Sequence, residues 1–197
     1  MRLGFLASHG GSNMQAILDA CASGAIAATP TILICNNPGA PALERATKAG
    51  LTAEVLNNTT HPLFEELDDA ITQALSISRV DLVILAGYMK HVGPRVLSAF
   101  QNRILNVHPA LLPKYGGQGM FGMNVHRAVI ENGEKESGAT VHLVNEIYDE
   151  GPILAQAKVP VFPVDTPETL RKRVLEQEHR LYPETIAKIV NGEIKLP

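Results

Sequence analysis

Short apolar runs alternate with helically spaced segments along the first half of the chain. Residues 3–7, 31–35, 53–56, 82–86 and 104–107 are continuous and apolar, which fits strands of a sheet covered on both faces. Between them, residues 14–22, 41–49, 62–76 and 94–100 carry apolar positions at helical spacing. Pro41, Pro62 and Pro94 each open one of these segments, as a first-turn proline can, because its missing N–H has no helical partner there. Repeated units of this kind predict an α/β fold, a Rossmann-like, mostly parallel sheet with helices on both faces.

The pattern changes after residue 110. Residues 114–123 hold four glycines and read as a loop, and residues 124–131 resume helical spacing. Residues 139–144 and 153–161 predict two strands joined through 145–152, an antiparallel edge in the C-terminal part. Asp165-Thr166-Pro167-Glu168 is a helix start, and that helix is expected to run to about residue 190, before Asn191-Gly192. With no repeat, low-complexity stretch or linker, the expectation is a single domain over 1–197.

Composition narrows the partners. Apolar residues make up 45% and charged residues 19%, ordinary values for a globular protein. A net charge of -3 and a pI near 6.2 give no footprint for nucleic acid. Arg171-Lys172-Arg173 is the one basic run and reads as a solvated helix face. Cys21 and Cys35 lack disulfide or metal spacing and read as packing residues, and no metal is expected. The apolar N-terminal run is too short for a signal peptide, and no run approaches membrane-spanning length. A soluble cytoplasmic protein without nucleic-acid or membrane partners is the default, expected to be a monomer or homodimer.

Three segments carry candidate chemistry. In Asn106-Val107-His108-Pro109 the period of two puts the amide and the imidazole on one strand face, and Pro109 ends the ladder beside them. An amide donor beside a titratable ring suits an oxyanion in acyl transfer, although a polar strand end with one hydrogen-bonded histidine has the same pattern. Ser8-His9-Gly10-Gly11-Ser12-Asn13 leaves the first strand and opens the first helix, a seat for a monophosphate or a tight turn. It lacks the lysine of a triphosphate loop. On the 145–152 connection, Asp149 is an acid able to reach an imidazole, with Glu146 and Glu150 as rivals and a plain turn as the bland alternative. His126 and His142 stay open because they flank these segments. His9, His61, His91 and His179 read as surface or structural.

Together these segments resemble the phosphoribosylglycinamide formyltransferase family, nearly end to end. The resemblance rests on Gly10-Gly11-Ser12-Asn13-Met14-Gln15, Leu85-Ala86-Gly87-Tyr88-Met89, Leu105-Asn106-Val107-His108-Pro109-Ala110-Leu111-Leu112-Pro113, Val141-His142 with Asp149-Glu150-Gly151-Pro152-Ile153-Leu154, and Gln177-Glu178-His179. It implies a formyl transfer from 10-formyltetrahydrofolate to glycinamide ribonucleotide in purine biosynthesis, with Asn106, His108 and Asp149 catalytic. It implies substrate contacts at Gly11, Ser12, Asn13 and Glu178. Folate contacts are implied at Met89, Lys90, His91 and Val92, and at Asn145, Glu146, Ile147 and Tyr148. Residues 1–100 become the phosphate-binding half and residues 101–197 the catalytic and folate-binding half.

The expected mechanism has Asn106 and a protonated His108 donating to the oxyanion, with Asp149 favouring that protonated form and helping to carry the proton. Two departures stand out. Phe64 occupies a region where some relatives carry a folate-contacting arginine, and the glycine-rich 116–122 loop is longer than in short-loop members, either as a lid or as a tolerated insertion. A formyltetrahydrofolate hydrolase would be expected to add an N-terminal regulatory domain, and a methionyl-tRNA formyltransferase a C-terminal domain with a basic surface. A sugar-nucleotide N-formyltransferase fits the phosphate seat less well. A non-catalytic nucleotide- or folate-binding module would have no need of all three catalytic-type residues.

Overall fold

Residues 1–197 are described by a computed structural model. Strands β1 (Arg2–Ala7), β2 (Thr29–Cys35), β3 (Thr52–Val55), β4 (Leu82–Leu85) and β5 (Ile104–His108) run parallel, β6 (Glu136–Leu143) runs antiparallel to β5, and β7 (Ile153–Pro160) runs antiparallel to β6. All belong to one sheet in the order β3-β2-β1-β4-β5-β6-β7. The helices are α1 (Ser12–Ala22), α2 (Pro41–Lys48), α3 (Phe64–Ile77), α4 (Pro94–Ala99), α5 (Met123–Glu131) and α6 (Pro167–Val190).

Alternate strand residues feed two cores. Leu3, Phe5, Leu82, Ile84, Leu105 and Val107 pack against α1, α2 and α6, while Leu6, Ile32, Ile34, Val83, Leu85 and Ile104 pack against α3 and α4. Burial on both faces explains why these strands read as unbroken apolar runs. Asn106 and His108 follow Ile104 at a period of two, so they share the face of the second core at the carboxyl end of β5.

Several details differ from the sequence expectations. Pro62 lies outside α3, because the Asn57 side chain accepts the Thr59 and Thr60 N–H groups in a turn and the chain stays extended to Leu63. Pro41 and Pro94 do start their helices, and Pro167 does the same in α6, where Thr166 and Thr169 form a reciprocal capping box. Strand β6 begins at Glu136, ahead of residue 139, because its polar start is paired with the end of β7.

Two buried polar anchors hold the carboxyl ends of the strands in place. The hydroxyl of Tyr182, on α6, donates to the carbonyl of Leu105 at 2.9 Å, with that of Leu85 at 3.3 Å. Asp68, on α3, is only 3% exposed and its carboxylate accepts the backbone N–H groups of Arg95 (2.8 Å) and Val96 (3.2 Å). It therefore caps α4 from a neighbouring helix, where no local side chain does so. A Cβ at Gly93 would lie 2.2 Å from that carboxyl group, which requires glycine just before Pro94.

Asp68→Ala is expected to cost about 2–3 kcal/mol, since two buried hydrogen bonds to a charged acceptor are lost. The thermal midpoint should fall by roughly 5–10 °C in calorimetry. An unchanged midpoint would show that α4 does not depend on this cap.

Candidate active site

Strand β1 lies between β2 and β4, so the order of the sheet reverses beside it. In an open α/β sheet the loops at the carboxyl ends of the strands diverge at such a point and leave a crevice. A cavity of about 470 Å³ opens there, with Asn13, Met89, Asn106, His108, Asp149 and Glu178 among the residues on its wall.

The antiparallel return of the chain completes the arrangement. Pairing of β5 with β6 sets Asn106 opposite His142 and His108 opposite Thr140. Side chains opposite one another on neighbouring strands share a face, and Asn106 Nδ2 lies 3.1 Å from His142 Nε2. His142 Nδ1 lies 2.9 Å from the Leu143 carbonyl, which can only accept, so Nδ1 carries the proton. In the neutral ring Nε2 then accepts from the Asn106 amide. This fixes which way the amide points and leaves its second hydrogen for a ligand.

Asp149 arrives from the β6–β7 connection. Its Oδ2 accepts the Gly117 N–H at 2.9 Å and lies 3.4 Å from His108 Nδ1, while Oδ1 lies 3.5 Å from His142 Nε2. His108 Nε2 donates to the Tyr115 carbonyl at 2.7 Å. The amide, the imidazole and the acid therefore meet as the sequence spacing suggested, and His142, left open there, joins them. Antiparallel register is the signal that finds His142, and it exists only once β5 and β6 are paired. The rival acids Glu146 and Glu150 are exposed.

Protonation differs from expectation. Burial lowers the pKa of His108, outweighing the opposing pull of Asp149 and the Tyr115 carbonyl, so the ring rests neutral at pH 7. Asp149 does favour the cation, but desolvation of the buried ring outweighs that pull. Burial pushes Asp149 up, but His142, His108 and the Gly117 N–H more than compensate and keep it ionised. His126, on α5, is 2% exposed, and burial with the nearby Arg171 charge lowers its pKa to about 4.

The second cluster lies toward α1 and α6. Asn13 Nδ2 donates to Glu178 Oε2 at 2.6 Å. Burial raises Glu178 to about 7 against the Asn13 hydrogen bond, so this carboxyl group titrates near neutrality. Asn13 Oδ1 is buried without a partner, which leaves an acceptor for a ligand hydroxyl or amine. At the start of α1 no side chain caps the helix and no acid stands in the first turn, so its N–H groups are free for an anion. Gly11 has φ 65°, and a Cβ there would lie 2.9 Å from that of Ala42. Gly11 and Ser12 shape this turn without lining the cavity itself.

The segments assigned to folate divide. Met89, Lys90 and Tyr148 line the cavity. Val92 does not: it is 8% exposed and belongs to the α3–α4 core, because an apolar side chain at that point packs under α4. His91 is exposed with its ring edge-on to Tyr148, and Asn145, Glu146 and Ile147 form an exposed turn in which Asn145 Oδ1 accepts the Ile147 N–H at 3.0 Å. Phe64 is exposed at the start of α3 and off the cavity wall. Residues 117–122 do line it, so the glycine-rich loop forms part of the enclosure.

Comparison with known proteins identifies the family. Residues 1–186 match the family model described as formyl transferase. The chain is 42% identical over 195 residues to the phosphoribosylglycinamide formyltransferase of Haemophilus influenzae, covering 99% of this chain and 90% of that one. It is 41% identical to the chloroplastic enzyme of the same name from Arabidopsis thaliana, covering 98% of this chain and 67% of the other. The solved structure of glycinamide ribonucleotide transformylase 1 from Symbiobacterium toebii superposes with a TM-score of 0.93 at 43% identity, over 100% of this chain and 91% of that one.

The raised pKa of Glu178 has a measurable sign. Between its unfolded value of 4.5 and about 7 the folded state holds the extra proton, so this group's contribution to stability is lost as pH rises through that window. Glu178→Gln removes the titration. Denaturant unfolding should show the variant gaining on the wild type by about 2–3 kcal/mol between pH 5 and pH 8. A constant difference would mean that Glu178 titrates normally.

Proposed function

Because the chain belongs to the formyl transferase family, we propose that it transfers the formyl group of 10-formyltetrahydrofolate to the primary amine of glycinamide ribonucleotide, a step of purine biosynthesis. The observation that carries this reading is the meeting of Asn106, His108 and Asp149 at one cavity wall, with Asp149 Oδ2 3.4 Å from His108 Nδ1. No helix is long and apolar enough to cross a membrane.

The roles follow from the hydrogen-bond inventory. The substrate amine attacks the formyl carbon, and the carbonyl oxygen takes up negative charge. The free amide hydrogen of Asn106 donates to that oxygen, in an orientation set by His142. A neutral His108 has its Nε2 proton on Tyr115, so its Nδ1 lone pair is the basic site. As the amine nitrogen becomes cationic, its proton passes to Nδ1, directly or through water, and Asp149 stabilises the imidazolium that results. The proton then moves to N10 as the carbon–nitrogen bond to the donor breaks, leaving formylated ribonucleotide and tetrahydrofolate. Asn13 and Glu178 hold the ribonucleotide, with the N–H groups at the start of α1 on its phosphate. Met89, Lys90 and Tyr148 flank the donor, and Lys90 supplies a cation for its glutamate carboxylate.

Mixing protein, ribonucleotide and donor should release deformylated folate and formylated ribonucleotide in equal amounts. Folate product alone would identify a hydrolase, and neither product a binding module. Asn106→Ala and His108→Ala are each expected to lower kcat by roughly 100- to 1000-fold with much smaller changes in KM. Near-normal turnover in both would overturn the assignment.

A further inference from the structure

The basic run at the start of α6 divides in the folded chain. Arg173 places two guanidinium nitrogens on Asp165, at 2.7 and 2.9 Å, and stacks 4.5 Å over the Phe162 ring. Arg171 lies instead on the cavity wall, one and two turns before Leu175 and Glu178, which line it from the same helix face. Arg171 is exposed, and its guanidinium makes no hydrogen bond or ion pair within the protein. Its charge is felt at Glu178 and at His126.

Two orphaned buried atoms share that corner. His126 Nδ1 and Asn13 Oδ1 have no partner, in residues 2% and 8% exposed, and both residues line the same cavity. An unfilled acceptor, an unfilled ring nitrogen and a free guanidinium together suit a ligand that carries hydroxyl donors beside an anionic group. The turn at residues 10–13 contributes N–H groups and no charged side chain. The nearby Arg45 is occupied by the Gly10 carbonyl at 2.9 Å and Gln15 Oε1 at 3.1 Å. Lys90 lines the cavity from the β4–α4 turn, next in sequence to His91, whose ring stands edge-on to Tyr148.

Resting on the ribonucleotide reading above, we propose that Arg171 is the residue that recognises the substrate phosphate, its guanidinium forking two phosphate oxygens opposite the N–H groups at the start of α1. The planar fork matches a phosphomonoester, and the side chain supplies the charge that the turn lacks. Specificity for a phosphorylated over an unphosphorylated acceptor therefore resides on α6 as well as on the glycine turn.

The test compares wild type, Arg171→Met and Arg171→Lys in steady-state assays with glycinamide ribonucleotide, with its unphosphorylated ribonucleoside, and with inorganic phosphate as inhibitor. Arg171→Met should raise KM for the ribonucleotide by roughly 10- to 100-fold, leave KM for the folate donor unchanged, and weaken phosphate inhibition by a similar factor. Arg171→Lys should recover part of the loss. With the unphosphorylated acceptor, wild type and Arg171→Met should behave alike. An unchanged ribonucleotide KM, an equal loss with both acceptors, or a loss confined to the donor would each overturn the assignment. Calorimetric titration with inorganic phosphate separates this from the functional reading: if wild type makes no formylated product yet binds phosphate and Arg171→Met does not, the formyl transfer fails while the Arg171 site stands.

Discussion

One carboxylate ties three distant segments together. Asp149 adopts a left-handed backbone conformation, φ 59°, which a residue with a Cβ occupies at a cost of about 1–2 kcal/mol. Two residues on, a Cβ at Gly151 would lie 1.8 Å from the Leu143 carbonyl, so the connection can fold back onto β6 only with glycine there. That close return delivers the carboxylate to His108 on β5, His142 on β6 and the Gly117 N–H of the glycine loop. In this half-enclosed place the Gly117 N–H donates to the carboxylate, and His108 supplies a second donor once its Nδ1 takes up a proton. In turn, the wall formed by residues 117–122 is anchored to the same atoms that the chemistry uses.

Burial sets the protonation pattern of the cavity. His108 and His126 are pushed toward the neutral form, Asp149 stays ionised and Glu178 titrates near neutrality. A neutral histidine beside an ionised carboxylate is a base whose conjugate acid has a waiting partner. That arrangement suits a reaction that must move a proton between two nitrogens without accumulating charge. The cations stand apart from this centre, Lys90 on the β4–α4 turn and Arg171 on α6, where the anionic ends of two ligands would lie.

Much of this was legible along the chain. The strands could be read because burial on both faces makes them continuous apolar runs, and Asn106 and His108 because a period of two puts them on one face. The departures have local causes. Pro62 has the look of a first-turn proline in the sequence, whereas the Asn57 hydrogen bonds make it part of the preceding turn. Val92, a donor contact implied by the family resemblance, turns its side chain into the core, which no neighbouring residue in the sequence signals. Arg171 and Lys172 are exposed as a solvated face should be, but nothing in a run of like charges tells that Arg171 also borders a cavity while Arg173 pairs with Asp165.

The sequence by itself determined the alternation of strands and helices, the location of the glycine turns and the identities of the polar groups, because each of these follows from neighbours only a few residues apart. Tertiary structure decided which of those groups meet. The antiparallel register placed His142 against Asn106, the return of the β6–β7 connection chose Asp149 over Glu146 and Glu150, and the packing of α6 turned Arg171 toward the cavity. It also decided that His108 rests neutral, because desolvation depends on everything that surrounds the ring, whereas the sequence shows only that an acid is available to oppose it.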